Sequence, residues 1–546
     1  MTSHVDLWDV QGNIVRAYGR FGYPHACHLF FAFASAEAGK LALALLRPFV
    51  TNGVTWHPNE TDPDRKAPDA TLNLGLTWRG MQALVLPQQI LAQMPAAFAD
   101  GMARRASILS DTGASAPETW DPVWRAGLAD PSRAVHLWVA LNGKADPATG
   151  APCARFEHLV SYAKGLAQSV PGLTLLSGHG EQGETEQRGG LRLVPGPQGQ
   201  PMVVPKEHFG FVDGISDPSF AGQTDLPVDA SVVAGRGRYS HRDGWQDLAT
   251  GEFILGTVDE SQEIAGVSRP AELLRNGSFA VFRKLEQDVA GFEAYIARNA
   301  EAYAEARGIG LDEAAVTLKA KLVGRWPNGA PLMTHPTYAD MQRFDRDWAD
   351  IPGIMARGLP RSPEDRERLR SFRFALNDFT YRSDRKGMSC PMGAHIRRGN
   401  PRDMLDPLIA GPERSGTGTA LTNRRRILRR GIPYGPFDGA PDQKRGLLFI
   451  AICADLERQF EFVQQQWMNH GMDMGTGNTG CPLIGRREPE AADAPAFVIP
   501  APEDSDLAPH FLPAMPDFVH TRGGDYFFLP SMTFLLTLTL NGFDPT

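Results

Sequence analysis

The chain has 546 residues, 42% of them hydrophobic and 22% charged, with a formal net charge of −8. That length suits two domains or two fused halves, and the composition is ordinary for a globular fold. The acidic balance argues against nucleic acid as a partner, because such proteins usually carry a basic excess.

The N-terminal stretch MTSHVDLWDVQGNIV has no basic start leading into an apolar run and no twin arginine, so export is not expected. Strand–helix units follow. The first pairs HLFFAF (28–33) with AEAGKLALALLRPF (36–49). The second pairs VHLWVAL (135–141) with RFEHLVSYAKGLAQSV (155–170), where Phe156, Leu159, Val160, Ala163, Leu166 and Val170 share one helical face. A Gly- and Pro-rich region, 192–276, joins the two halves. The third unit pairs SFAVFRKL (278–285) with EQDVAGFEAYIARN (286–299), with Leu285, Val289, Phe292 and Ile296 on one face. The fourth pairs GLLFIAI (446–452) with ADLERQFEFVQQQW (454–467), with Leu456, Phe460, Val463 and Trp467 on one face. Two units per half predict an α+β chain of two ferredoxin-like halves, an N-terminal one at 1–205 and a C-terminal one at 206–546. Long Pro- and Gly-rich loops at 399–422, 436–446 and 485–516 are of the kind that carries function or moves. The apolar run FFLPSMTFLLTLTL (527–540) contains Pro530. It falls short of the ~20 apolar residues a membrane helix needs, so a buried strand or short helix is expected and no membrane partner.

Several motifs carry less than they promise. GHGEQG (178–183) and GTGNTG (475–480) lack the strand-before, helix-after context of a phosphate loop, so dinucleotide binding is not predicted. There is no HExxH and no CxxC, which argues against zinc. Five scattered cysteines, odd in number, read as reduced thiols of a cytoplasmic protein. The run NRRRILRR (423–430) fits a solvated basic face or a site for carboxylates better than a nucleic-acid patch.

Three stretches carry chemistry. HFGFVDGISDP (208–218) sets Asp213 in a Gly-rich turn; on its own Asp213 is a turn former, like Asp217. CPMGAHIRRGNPRD (390–403) places His395 after two small residues that let something bulky come close, with Arg397 just beyond, suited to carboxylates. Alone, His395 reads more often as a satisfied structural histidine than as a ligand. RRILRRGIPYG (425–435) sets Arg429 and Arg430 before a glycine turn, otherwise a surface arginine pair.

An acid, a histidine and an arginine in this order resemble the dye-decolorizing peroxidases. The blocks that carry the resemblance are GFVDG (210–214), GAHIRRGNPR (393–402) and the following RRG (429–431). It extends to QGNIVRAYGR (11–20), GLTWRGMQAL (75–84), VFRKLEQD (281–288) and LERQFEF (456–462), nearly end to end, and the QGN start is similar to the larger cytosolic branch. The resemblance implies the dimeric α+β barrel superfamily, with haem b in the C-terminal half. The absence of CxxCH agrees with non-covalent attachment. It implies His395 as the proximal iron ligand, with Glu457, or else Asp455, holding its other ring nitrogen. Both acids also read as solvated helix carboxylates. Arg397 would meet haem propionates. Asp213 would take a proton from peroxide and return it, and Arg429, or its neighbour Arg430, would orient peroxide and stabilise negative charge. Leu447 and Phe449 would roof the pocket, though both read equally as strand core, and the glycines flanking Asp213 would bring backbone close to the haem face. Hydrogen peroxide would be the oxidant, and small or bulky aromatic donors such as phenols and dyes would be oxidised in one-electron steps. Trp245, Trp348 and Tyr381 are candidates for carrying electrons from the surface. A homo-oligomer is left open. The alternative is a non-enzymatic haem carrier or store, which needs His395 alone; chlorite breakdown ranks lower, because the acid–arginine pair suits peroxide.

Overall fold

The computed structural model describes residues 5–57, 65–180, 183–196, 199–225, 230–264, 274–356, 362–407, 417–440, 443–486, 497–502, 505–513 and 515–540. Of the segments singled out above, 181–182 of GHGEQG and 408–416, 441–442, 487–496, 503–504 and 514 of the long loops lie outside the described residues.

The four apolar runs form strands where they were predicted. In the first half 28–33 and 135–141 fall in β1 (His25–Phe33) and β3 (Leu137–Gly143); β2 (Ala70–Leu76) and β4 (Leu173–Leu175), not singled out in the sequence, complete the antiparallel order β2-β3-β1-β4. Helix α1 (Ala36–Leu46) follows β1 and starts on Ser35, whose side chain accepts from the Ala38 N–H. Helix α2 (Ala154–Ser169) follows β3, and the six apolar residues expected on its inner face are all buried. This is the βαββαβ order of a ferredoxin-like unit. A further strand, β5 (Gln187–Gly190), pairs with the start of β1.

The second half repeats the order. β6 (Ser278–Gln287) leads into α3 (Val289–Arg307), which is capped by Asp288. β7 (Leu428–Arg429) and β8 (Ile432–Tyr434) both pair with β9 (Gly446–Cys453), and β10 (Val519–Leu529) lies on the other side of β6. The two orders fuse into one ten-stranded sheet, joined between β10 and β2 by the single pairing Phe528↔Leu76. One such pairing is worth about 1 kcal/mol net. Burying one large aromatic is worth about 1.5–3 kcal/mol, so ring packing dominates the junction. Phe282 of β6 lies 5.3 Å from Phe30 and 5.6 Å from Trp138, and Phe527 of β10 lies 5.1 Å from Trp138. Strands of both halves therefore face one aromatic core, as in a barrel. Where β5 meets β8, a Cβ on Gly189 would come within 2.7 Å of Ile432 Cγ2, so only glycine allows that approach.

Three features depart from the sequence expectation. The helix after β9 keeps Leu456, Phe460, Val463 and Trp467 buried but is wound in π turns over Leu456–Glu461 and Val463–Asn469. The run at 527–540 is both things considered: it ends β10 and then forms a helix, Met532–Thr539, capped by Ser531. Helices Leu311–Val323, Tyr338–Asp347 and Pro363–Asn377, which have no counterpart in the first half, build a second apolar core with α3. Among the described residues no helix is long and apolar enough to cross a membrane.

Candidate active site

Strand β9 shows how the site is floored. Leu448 and Ile450 are buried in the barrel core, while Leu447 and Phe449, on the opposite face of the pleat, line a cavity of about 300 Å³. Every lining residue lies at position 207 or later, so the cavity belongs to the C-terminal half.

The loop carrying Asp213 is clamped before it reaches the cavity. The Glu207 carboxylate accepts from the N–H groups of Phe209 (2.8 Å) and Phe211 (2.9 Å) and from Gln287 Nε2 at the end of β6 (2.7 Å). Gly210 and Gly214 have φ of +93° and +81°, and a Cβ on Gly214 would lie 2.4 Å from Arg20 Nε. The glycines thus serve the turn and the passage of Arg20. Neither lines the cavity, so the expectation that they approach a cofactor face is corrected.

Arg429, on β7, lines the cavity and places Nη1 3.2 Å from Asp213 Oδ1. Arg430 turns away. It donates through Nη1 to Asp217 Oδ2 at 2.6 Å and through Nε and Nη2 to the carbonyls of Asn13 and Ile14. Burial alone would raise the Asp217 pKa, but Arg430, Arg20 and Arg429 outweigh it and hold the carboxyl at about 2. Asp217 is therefore a fixed charge that also accepts the Arg429 N–H at 2.7 Å.

His395 opens a one-turn helix, α4 (His395–Gly399), and lines the same cavity. Its Nδ1 lies 3.2 Å from Cys481 Sγ. Burial disfavours charge on both groups, yet their contact overrides it, lowering the thiol to about 7 and raising the imidazole. The expected carboxylate partners are corrected. Glu457 accepts from the Ala97 N–H at 3.1 Å, and Asp455 caps its own helix through the Arg458 N–H. Both sit at the N-terminal end of that helix, whereas α4 packs on its C-terminal end, where Arg398 donates to the Trp467 carbonyl.

Arg397 is corrected too. Two residues beyond His395 on a helix, it points to the other side. It is fully buried, donates to Asp384 Oδ2 at 3.0 Å and stacks over Tyr381 at 4.4 Å, and it does not itself line the cavity. Besides Arg429, the arginines that line the cavity are Arg325, Arg402 and Arg426. Each donates to backbone carbonyls, and among the described residues none has a carboxylate within ion-pair distance. Burial pulls Arg402 down to about 10 and the other two to about 9. Three uncompensated buried guanidiniums in one wall call for an anionic ligand. With an apolar floor, a histidine and an acid–arginine pair, the cavity fits a flat apolar cofactor that carries carboxylates. Nothing in spacing or composition had singled out Arg325 or Cys481, whereas Arg426 lies in the basic run 423–430 read as a possible site for carboxylates.

Of the candidate relay residues, Tyr381 is buried and lines the cavity, so it is not a surface residue. Trp348 packs on Phe372 and Arg368, away from the cavity. Trp245 donates to Asp378 at 2.8 Å, with Arg402 5.6 Å from its ring.

Comparison with known proteins agrees with this geometry. Residues 413–475 match the family described as Dyp-type peroxidase, C-terminal. The chain is 28% identical over 557 residues to Peroxidase 2 of Mycetinis scorodonius, covering 97% of this chain and 86% of that one. It is 31% identical over 343 residues to Dye-decolorizing peroxidase AauDyP1 of Auricularia auricula-judae, covering 60% of this chain and 55% of that protein. The chain is similar to the dye-decolorizing, or Dyp-type, peroxidases over nearly its whole length. Its fold is that of the family as well. A solved structure described as an ancestral D-type dye decolorizing peroxidase superposes with a TM-score of 0.69 over 98% of this chain and 100% of that one, at 24% identity.

Proposed function

We propose that this chain is a Dyp-type peroxidase that binds haem b non-covalently within 206–546, reduces hydrogen peroxide, and oxidises organic donors such as dyes and phenols in one-electron steps. One observation carries the reading: Asp213, Arg429 and His395 line a single cavity that also holds three buried arginines without carboxylate partners among the described residues. His395 would hold the iron through Nε2, and Arg402, Arg426 and Arg325 would meet the propionates. Haem supplies the redox chemistry when bound.

The chain's own groups do the rest. Asp213 is acceptor-only when ionised and donates once protonated, so it can take a proton from one peroxide oxygen and return it to the other. Arg429 stays protonated, holds Asp213 in place and stabilises negative charge on the departing oxygen. Leu447 and Phe449 keep water and bulky donors out, which leaves electron entry from large dyes to the side of Arg402 and Trp245. A haem carrier would need His395 alone and gives no reason for the Asp213–Arg429 pair. Five cysteines, none in a disulfide among the described residues, support a reducing, cytoplasmic setting.

The test is an absorption spectrum before and after one equivalent of peroxide, followed by stopped-flow mixing of Asp213→Asn and Arg429→Leu. A Soret band that responds to peroxide is expected, with both variants slowed ~10²-fold or more. A Soret band with no response would make the protein a carrier. Wild-type rates in both variants would remove the assigned roles.

A further inference from the structure

The contact between His395 and Cys481 has a consequence for the cofactor, and it rests on the haem reading above. A histidine that ligates a metal donates its other ring N–H to an acceptor, which fixes the ring and makes the ligand more basic. The acceptor is usually a carboxylate, a carbonyl or water. Here neither expected carboxylate reaches the ring. The group at Nδ1, 3.2 Å away, is the sulfur of Cys481, which is fully buried.

The sulfur is held as firmly as the histidine. The Cys481 N–H donates to the Met468 carbonyl at 2.6 Å, and the Cys481 carbonyl accepts from the Gly485 N–H at 3.0 Å, closing a turn of five residues. Leu483 and Ile484 of that turn line the cavity beside His395. Arg398 ties the two segments together: it donates to the Gly393 carbonyl on the histidine side and to the Thr479 carbonyl (2.7 Å) on the cysteine side. A Cβ on Gly485 would fall 2.4 Å from the Cys481 nitrogen and 2.7 Å from the Met468 carbonyl oxygen, so this packing leaves no slack.

We infer that Cys481 is a positioning residue for the cofactor ligand: its sulfur accepts the Nδ1–H of His395, aims Nε2 at the cavity and sets the electron donation of the axial imidazole. A sulfur acceptor on this side makes the ligand a tunable one. Removing the acceptor leaves a less basic imidazole, which favours the ferrous over the ferric state. A carboxylate in its place does the reverse.

The experiment uses the full-length protein reconstituted with haem, as wild type and as Cys481→Ala, Cys481→Ser and Cys481→Asp. Two readouts independent of turnover are taken: the ferric/ferrous potential and the iron–histidine stretching frequency of the ferrous form. Cys481→Ala is expected to move the potential positive and the stretch down, and Cys481→Asp to move both the other way. A Soret band with potential and stretch unchanged in Cys481→Ala and Cys481→Asp overturns the inference while leaving the haem reading intact. If Cys481→Ala does not retain haem, Cys481→Ser against Cys481→Asp decides, and equal potentials in those two overturn it. A wild-type protein that takes up no haem removes the reading beneath it, and the inference with it.

Discussion

Asp213 and Asp217 share one loop and do opposite work. Composition gives both the same reading, because Asp is a common turn former. Their neighbours separate them: Asp213 meets one arginine at the cavity, whereas Asp217 is buried against Arg430 and held at about 2. A carboxyl whose pKa is lower folded than unfolded stabilises the fold above its unfolded value, and that stability is lost as pH falls through the folded one. The window for Asp217 runs from about pH 4 down to about 2, and the contribution is on the order of 2 kcal/mol. Acid unfolding of wild type and Asp217→Asn should show it. The variant is expected to be less stable at neutral pH, and the gap is expected to close between pH 4 and 2. A gap constant across that range would show that Asp217 is not charged in the fold.

Helix α4 shows where the sequence was legible at the scale of an element and where it was not. The stretch GAHIRRGNPR names the right region, and His395 does line the cavity. Which arginine faces the ligand depends on helix phase, and sequence gave no phase for a helix of five residues. Arg397 falls on the far side and pairs with Asp384, while Arg402, beyond the helix end and at φ +52°, reaches the cavity. The two arginines therefore predict different failures. Arg402→Leu and Arg426→Leu should each weaken haem binding about tenfold or more in a titration of the apoprotein, with little change in its unfolding, because each loses a charge-assisted partner for the ligand. Arg397→Leu should instead cost the apoprotein about 3–5 kcal/mol, since it strands Asp384 in the interior. The reverse pattern would return Arg397 to the site.

The two ferredoxin-like halves were legible because each rests on local signals: an apolar strand, a capped amphipathic helix, a second copy. How the halves join was not, because a junction is made by residues hundreds of positions apart. The QGN stretch, noticed only as a likeness, is part of that junction. Gln11 is fully buried where β2 meets β10. Its Nε2 donates to the carbonyls of Leu74 and Pro530, both at 2.9 Å, and its Oε1 accepts from the Leu74 N–H (2.8 Å) and Asn73 Nδ2 (3.1 Å). One side chain thus ties the two strands that share a single pairing, and Asn13 and Ile14, just beyond it, supply the carbonyls that hold Arg430 beside Arg429 of the cavity. Gln11→Leu keeps the volume and removes all four bonds. It leaves buried backbone groups without partners at about 1–3 kcal/mol apiece. The expected result in urea is a loss of roughly 3 kcal/mol, together with a separation of the transition into two, as the aromatic core of one half loosens from the other. Because Arg430 is anchored through the same stretch, the variant's reaction with peroxide should slow as well. An unfolding curve superimposable on wild type would show that ring packing alone holds the halves together.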